Sequence, residues 1–172
     1  MTVALTPGSK APAFSLPRDG GGEISLSDFA GQNLVLYFYP KADTPGCTRE
    51  AQAFSRLRGA FQRADTAILG VSADPVKAQD KFKAKYDLSI PLASDETCKM
   101  LTDYGAWGEK SMYGRKYMGV MRVTFLIDKK GRIVRTWPKV SVDGHAEEVL
   151  EAAKALENLP FPHRVMILFP EN

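Results

Sequence analysis

Cys47 is the residue in this chain best placed to do chemistry. The apolar, aromatic run Tyr37-Phe38-Tyr39 stops at Pro40, a turn-rich segment Lys41-Ala42-Asp43-Thr44-Pro45-Gly46 follows, and a helical pattern opens around Cys47-Thr48-Arg49-Glu50. The order is strand, loop, helix. The first turn of a helix leaves backbone N–H groups without intrahelical partners and carries the positive end of the macrodipole. A sulfur set there is stabilised as the thiolate, the form that acts as a nucleophile. Thr44, three residues upstream, adds a hydroxyl able to meet a ligand at that sulfur. Taken alone, these residues leave two readings open: a reactive thiol at a helix start, or the small buried core residue that a free cysteine commonly is.

A second signal lies far off in sequence. Arg122 interrupts the apolar run Val120-Met121-Arg122-Val123-Thr124-Phe125-Leu126-Ile127. An unpaired buried charge is costly, so this arginine sits either at a solvated strand end or against a partner. Glu50 follows Cys47 by about one helical turn, on roughly the same face. Cys98, the other thiol, falls near the start of a different helix.

Several other chemistries are excluded by spacing. Thr48, Arg49 and Glu50 follow Cys47, so there is no Cys-x-x-Cys dithiol. A cysteine phosphatase loop wants an arginine six residues after the nucleophile, where this chain has Ala53. A cysteine hydrolase needs a histidine base. Of the two histidines, His163 lies near the C-terminus and His145 opens the final helix, where it reads as a surface residue. Two cysteines and two histidines at these spacings make no zinc site. No metal or cofactor is expected.

The elements that must position these residues follow from the patterning. Phe14, Leu16, Ile24 and Leu26 flank Asp19-Gly20-Gly21-Gly22, a small hairpin. Ser27 is expected to cap a short helical turn through Phe29, closed by Gly31. Leu34–Tyr39 is almost continuously apolar, as in a strand covered on both faces. Ala51, Phe54, Leu57 and Phe61 keep helical spacing after Cys47, opposite a polar face of Arg49, Glu50, Arg56 and Arg58 that is mostly solvated. Ala67–Val71 reads as a second buried strand. Asp74-Pro75 then starts a helix with Pro in its first turn, a stripe of Val76, Phe82 and Tyr86 inward, and a lysine-rich wet face.

Ile90–Ala93 is a short strand, and Asp95 or Thr97 caps a helix holding Cys98, Met100 and Leu101. Residues 106–119 read as a polar, glycine-punctuated segment; their basic and aromatic residues do not amount to a nucleic-acid motif. Val120–Ile127 and Arg132–Trp137 form an antiparallel pair across Asp128-Lys129-Lys130-Gly131. Gly144–Leu159 is the last helix, with Val149, Ala152, Ala153 and Leu156 inward. Residues 160–172 form a tail containing Val165-Met166-Ile167-Leu168-Phe169, which packs on the body or on a partner chain. Alternating strands and helices give a central sheet with helices on both faces.

The 172 residues suit one domain, 1–172. A net charge of +3 is too mild to point to nucleic acid or an anionic membrane. No apolar run approaches the length of a membrane span, and Met1–Gly8 lacks the basic-then-apolar pattern of a secretory signal. Two cysteines do not make a disulfide scaffold, which fits a cytoplasmic protein with reduced thiols.

Pro40-x-x-x-Thr44-x-x-Cys47 matches the peroxiredoxin active-site motif, and Tyr37–Ala42 with Thr44–Thr48 resembles its bacterioferritin-comigratory-protein, or PrxQ, branch. Asp28-Phe29-Ala30-Gly31, Ser94-Asp95-Glu96, Tyr104–Ser111, Phe125-Leu126-Ile127-Asp128 and Gly144-His145 fall in the family's order, so the likeness covers about residues 7–159. It implies an α/β thioredoxin-like fold, a central mixed sheet flanked by helices with an N-terminal hairpin extension. It implies a thiol-dependent peroxidase in which Cys47 becomes a sulfenic acid. Thr44 and the N–H groups around Gly46 and Cys47 would hold the hydroperoxide, Pro40 would shield the sulfur, Arg122 would lie beside it, and Glu50 would orient Arg122. A resolving cysteine is common in this branch five residues after the first, where this chain has Gln52. The next helix has none either. Cys98 is the one remaining candidate, and the default is a one-cysteine cycle closed by thioredoxin, glutaredoxin or glutathione. The chain is expected to be a monomer, with a dimer as the alternative. The non-enzymatic alternative is a thioredoxin-fold redox sensor or binding module.

Overall fold

In a computed structural model of the chain, residues 5–158 are described. A five-stranded sheet carries the architecture, in the order β5 (Leu92–Ser94), β4 (Thr66–Ser72), β3 (Asn33–Phe38), β8 (Val123–Ile127), β9 (Ile133–Trp137). Its centre is β3, buried at every position as its unbroken apolar run requires. β4 runs parallel to β3, and β5 parallel to β4. β8 and β9 complete the sheet antiparallel, joined by the turn the sequence predicts. β1 (Ser15–Pro17) and β2 (Glu23–Ser25) form the N-terminal hairpin.

The alternation along β3 divides the core in two. Leu34, Leu36 and Phe38 face one way, toward Phe14, Leu16 and Ile24 of the lead-in and hairpin and toward Met100, Leu101 and Tyr104. Val35, Tyr37 and Tyr39 face the other way, against α1 (Pro45–Arg63), α2 (Val76–Tyr86) and α4 (His145–Glu157). α3 (Lys99–Asp103) lies on the hairpin face. Helices on both faces of a mixed sheet with an N-terminal hairpin constitute the thioredoxin-like fold that the resemblance implies. One glycine is required by packing here. A Cβ on Gly70 would lie 2.8 Å from the Tyr37 ring, which crosses this strand and stacks on Phe54 at 4.6 Å.

Several local expectations are corrected. The short helical turn is Leu26–Phe29 and its cap is Ser25, not Ser27, because Asp28 Oδ2 accepts the Ser25 N–H at 2.8 Å. Pro75 is the N-cap of α2, immediately ahead of the first turn in which it was expected. In α2 the buried positions are Gln79 and Phe82, whereas Val76 and Tyr86 are only half-buried. Gln79 is buried because its amide is used, donating to Ser72 Oγ at 2.9 Å and to the Ala93 carbonyl at 3.0 Å. The polar segment 106–119, for which no element was expected, is a hairpin: β6 (Trp107–Met112) pairs with β7 (Arg115–Val120). Its turn is Tyr113-Gly114, both at positive φ, so the usual Asn-Gly or Asp-Gly signal is missing. The strand expected over Val120–Ile127 breaks at Met121-Arg122, which leaves Arg122 just ahead of β8. The tail after Pro160 and its run Val165–Phe169 lie outside the described residues.

Candidate active site

The loop after β3 delivers Cys47 to the third helical position of α1, with Thr44 as N-cap and Pro45 at the first helical position, where its missing N–H costs nothing. The Thr48 N–H donates to the Thr44 carbonyl at 2.8 Å and closes this first turn. The Thr44 hydroxyl donates to the Lys41 carbonyl at 2.7 Å, which pins the loop and leaves the oxygen's lone pairs unspent. Pro40 stands half-buried at the exit of β3. Cys47 is 1 % exposed, yet its surroundings are not those of an inert core thiol.

Arg122 arrives from across the sheet. Being at the entrance to β8, next to β3, it projects toward the start of α1. Its Nη2 donates to Cys47 Sγ at 3.2 Å and its Nη1 to Glu50 Oε1 at 2.7 Å. Of the two readings of Arg122, the structure selects the partnered one, with its side chain 19 % exposed. Gly46 permits the approach, since a Cβ there would meet Arg122 Nη2 at 3.3 Å. Glu50 is drawn off the solvated face of α1: it is 1 % exposed, while Arg49, Arg56 and Arg58 remain outside. Burial pushes the Glu50 carboxyl up to about 7, with Arg122 pulling the other way, and its Oε2 has no partner. Burial works against the Arg122 charge, but Glu50 and the Cys47 sulfur outweigh it and hold the guanidinium above its usual range. The arrangement fixes a permanent cation against a buried sulfur, with a carboxylate holding the cation's other arm.

His145 is not the surface residue its place at a helix start suggests. It is 3 % exposed and wedged edge-on between Phe54 and Trp137 at 6.0 and 5.9 Å. Its Nε2 and Thr124 Oγ1 share a hydrogen bond of 2.9 Å, and burial pushes its imidazole down to about 4. It is thus a neutral packing residue, hydrogen-bonded to Thr124, which follows Arg122 by two residues. Sequence gave no sign of this, because only the way α4 tucks under α1 hides it.

Cys98 is not gathered into the site. It caps α3 in a left-handed conformation, φ +63°, half-buried on the hairpin face of the sheet, whereas Cys47 packs on the opposite face. Burial and the Asp95 carboxylate push its thiol up. An apolar groove of about 350 Å³ lined by Phe14, Leu26, Phe29 and Leu34 lies at the N-terminal end of β3, away from Cys47. Among the described residues no cluster of three or more His, Cys, Asp or Glu could hold a metal ion. Nor is any helix among them long and apolar enough to cross a membrane.

Residues 7–136 match the AhpC/TSA family. The chain is 47 % identical over 148 residues to a putative peroxiredoxin Bcp of Coxiella burnetii, covering 86 % of this chain and 98 % of that one. It is 43 % identical over 154 residues to peroxiredoxin Bcp of Bacillus subtilis, covering 90 % and 97 %. Among solved structures, peroxiredoxin Q of Xanthomonas campestris superposes with a TM-score of 0.82 at 41 % identity, over 91 % of this chain and 99 % of that one. A structure of the bacterioferritin comigratory protein of the same organism, described for its alkyl peroxide reduction activity, gives a TM-score of 0.82 at 40 % identity, over 92 % and 100 %. With fold, motif order and relatives in agreement, the chain belongs to the AhpC/TSA family, in its Bcp/PrxQ peroxiredoxin branch, and is a thiol-dependent peroxidase.

Proposed function

We propose that Cys47 is the peroxidatic residue, acting on hydrogen peroxide and organic hydroperoxides in a one-cysteine cycle. The observation that carries this is the 3.2 Å contact from Arg122 Nη2 to Cys47 Sγ, backed by the 2.7 Å contact of Nη1 with Glu50. The Cys47 thiolate attacks the terminal peroxide oxygen. An S–O bond forms as the O–O bond breaks, and the departing oxygen leaves as water or an alcohol once protonated. Negative charge moves from sulfur to the departing oxygen in this step, and the Arg122 guanidinium, donating at the sulfur, is set to follow it. The Thr44 hydroxyl and the N–H groups around Gly46 and Cys47 bind the peroxide. Pro40 screens the sulfur from solvent, and Glu50 holds Arg122 in line.

The sulfenic acid is then reduced by an external thiol: thioredoxin, glutaredoxin or glutathione. The reading rests on Gln52 standing where a resolving cysteine is common, and on Cys98 packing on the other face of the sheet. A bridge would need the two Cα atoms within about 7 Å. Organic substrates are supported by the alkyl peroxide reduction described for the Xanthomonas relative. We read the chain as a single-domain, monomeric, cytoplasmic enzyme.

The test is the denatured intact mass after one equivalent of hydrogen peroxide, with a sulfenic-acid-selective trap present. One adduct mapping to Cys47 is expected. A loss of two hydrogens, with neither thiol reactive, would replace the one-cysteine cycle by a Cys47–Cys98 disulfide.

A further inference from the structure

Cys47 is 1 % exposed, so a reductant much larger than peroxide has no path to its sulfur while the turn that carries it stays in place. What holds that turn is therefore what decides when the reductant gains access. Three links tie residues 39–43 to α2 and the loop before it. The Tyr39 hydroxyl donates to Gln79 Oε1 deep in the core. The Ala42 N–H donates to Asp74 Oδ2 at 2.8 Å, and Ser72 Oγ donates to the same oxygen at 2.7 Å. The third link is Asp43, whose carboxylate accepts from Tyr86 Oη at 2.5 Å and from Lys85 Nζ at 2.9 Å.

The third link differs from the others in two ways. It faces water, with Asp43 and Lys85 side chains 43 % and 58 % exposed, where an ion pair is worth least. It also secures the residue that sets the turn: Asp43 sits at φ +62°, a left-handed conformation that Asp tolerates better than most side chains, directly before the N-cap Thr44. Loss of the grip frees Asp43 to leave that conformation, and with it the direction in which Thr44 and Cys47 are presented.

We propose that the Asp43 carboxylate, gripped by Lys85 and Tyr86, is a latch that sets how often the Cys47 turn opens to an incoming thiol. Asp43 is thus a positioning residue that trades peroxide reactivity against reductant access. The inference rests on the reading that Cys47 cycles through a sulfenic acid reduced by an external thiol. In that step the incoming sulfur forms an S–S bond to Cys47 as the S–O bond breaks, and the hydroxide takes the thiol's proton and leaves as water. A second thiol then displaces the Cys47 thiolate and carries the disulfide away on the reductant. The first of these attacks needs the open turn, whereas peroxide capture needs the closed one.

The test uses the full chain with Tyr86→Phe, which keeps the ring packed on Phe82, alongside Lys85→Met and Asp43→Asn. Amide hydrogen exchange over 42–48 should quicken by about threefold to tenfold in the variants, with 51–61 unchanged, as expected for losing one exposed link. Reduction of the Cys47 sulfenic acid by dithiothreitol should quicken by a similar factor while oxidation by hydrogen peroxide slows. Unchanged exchange over 42–48, or both chemical steps slowing together, would overturn the latch. Faster exchange with no sulfenic acid in any of the proteins would overturn the assignment of Cys47 on which the latch depends.

Discussion

Cys47 and Cys98 make an internal comparison. Each sits at the start of a helix on the C-terminal side of a strand, and from sequence each promises a thiol at the positive end of a helix dipole. Their surroundings part company. Cys47 lies inside the first turn of a nineteen-residue helix with an arginine on its sulfur. Cys98 lies ahead of a five-residue helix, left-handed at its own backbone, with the Asp95 carboxylate rather than a cation beside it. A helix start is thus a modest influence by itself. The side chain that another part of the fold brings to the sulfur distinguishes the two.

Removing the thiol has the largest effect: Cys47→Ser should abolish peroxide turnover with dithiothreitol as donor, and turnover that survives would move the chemistry elsewhere. Next is the cation. Arg122→Ala should slow peroxide reduction by about a hundredfold to a thousandfold while leaving the far-UV circular dichroism unchanged, the scale of losing one preorganised donor. If stopped-flow oxidation of Cys47 keeps its rate in that variant, the distinction drawn between the two cysteines fails.

A smaller effect is expected at His145, packed between α1 and β9. His145 is held neutral in the fold, at about 4 against an ordinary 6.5. Its contribution to stability is therefore intact above about pH 6.5 and is lost as pH falls toward about 4. The unsubstituted protein should lose about 1–2 kcal/mol relative to His145→Gln across that window, read from urea midpoints, once water near the ring is allowed for. Glu50, raised by burial, acts in the opposite sense over much of this range, but it is common to both proteins and cancels. A flat difference would place His145 in contact with water. The smallest effect is at the other thiol: Cys98→Ser should change steady-state turnover less than twofold, and a collapse of turnover would make Cys98 the resolving residue after all.

How much of this was legible depended on whether the signal was local. The Cys47 turn, the buried β3 and the β8–β9 pair could be read because each is written in contiguous residues: an apolar run ending at Pro40, a turn-rich segment leading into a helical pattern at Cys47, a turn at Asp128–Gly131. The β6–β7 hairpin was missed because Tyr113-Gly114 does not announce a tight turn. Glu50 and Gln79 break helical apolar periodicity in the wrong direction: both are polar and buried, each because its partner comes from elsewhere in the chain. His145 misled for the converse reason, its position at a helix start suggesting solvent while α1 and β9 close over it.

Residue order alone thus determined the chemistry on offer: a cysteine in the first turn of a helix, a threonine one turn before it, an arginine in an apolar run and no second cysteine nearby. Those are properties of spacing and residue type, and they survive any arrangement that keeps the local elements. Only the tertiary structure decided that Arg122 reaches Cys47 while Cys98 does not, because β8 lies beside β3 and the sheet separates its two faces. It alone decided, too, that Asp43 meets Lys85 and Tyr86, since that contact depends on α1 and α2 packing on the same face of the sheet, a long-range arrangement that no local pattern encodes.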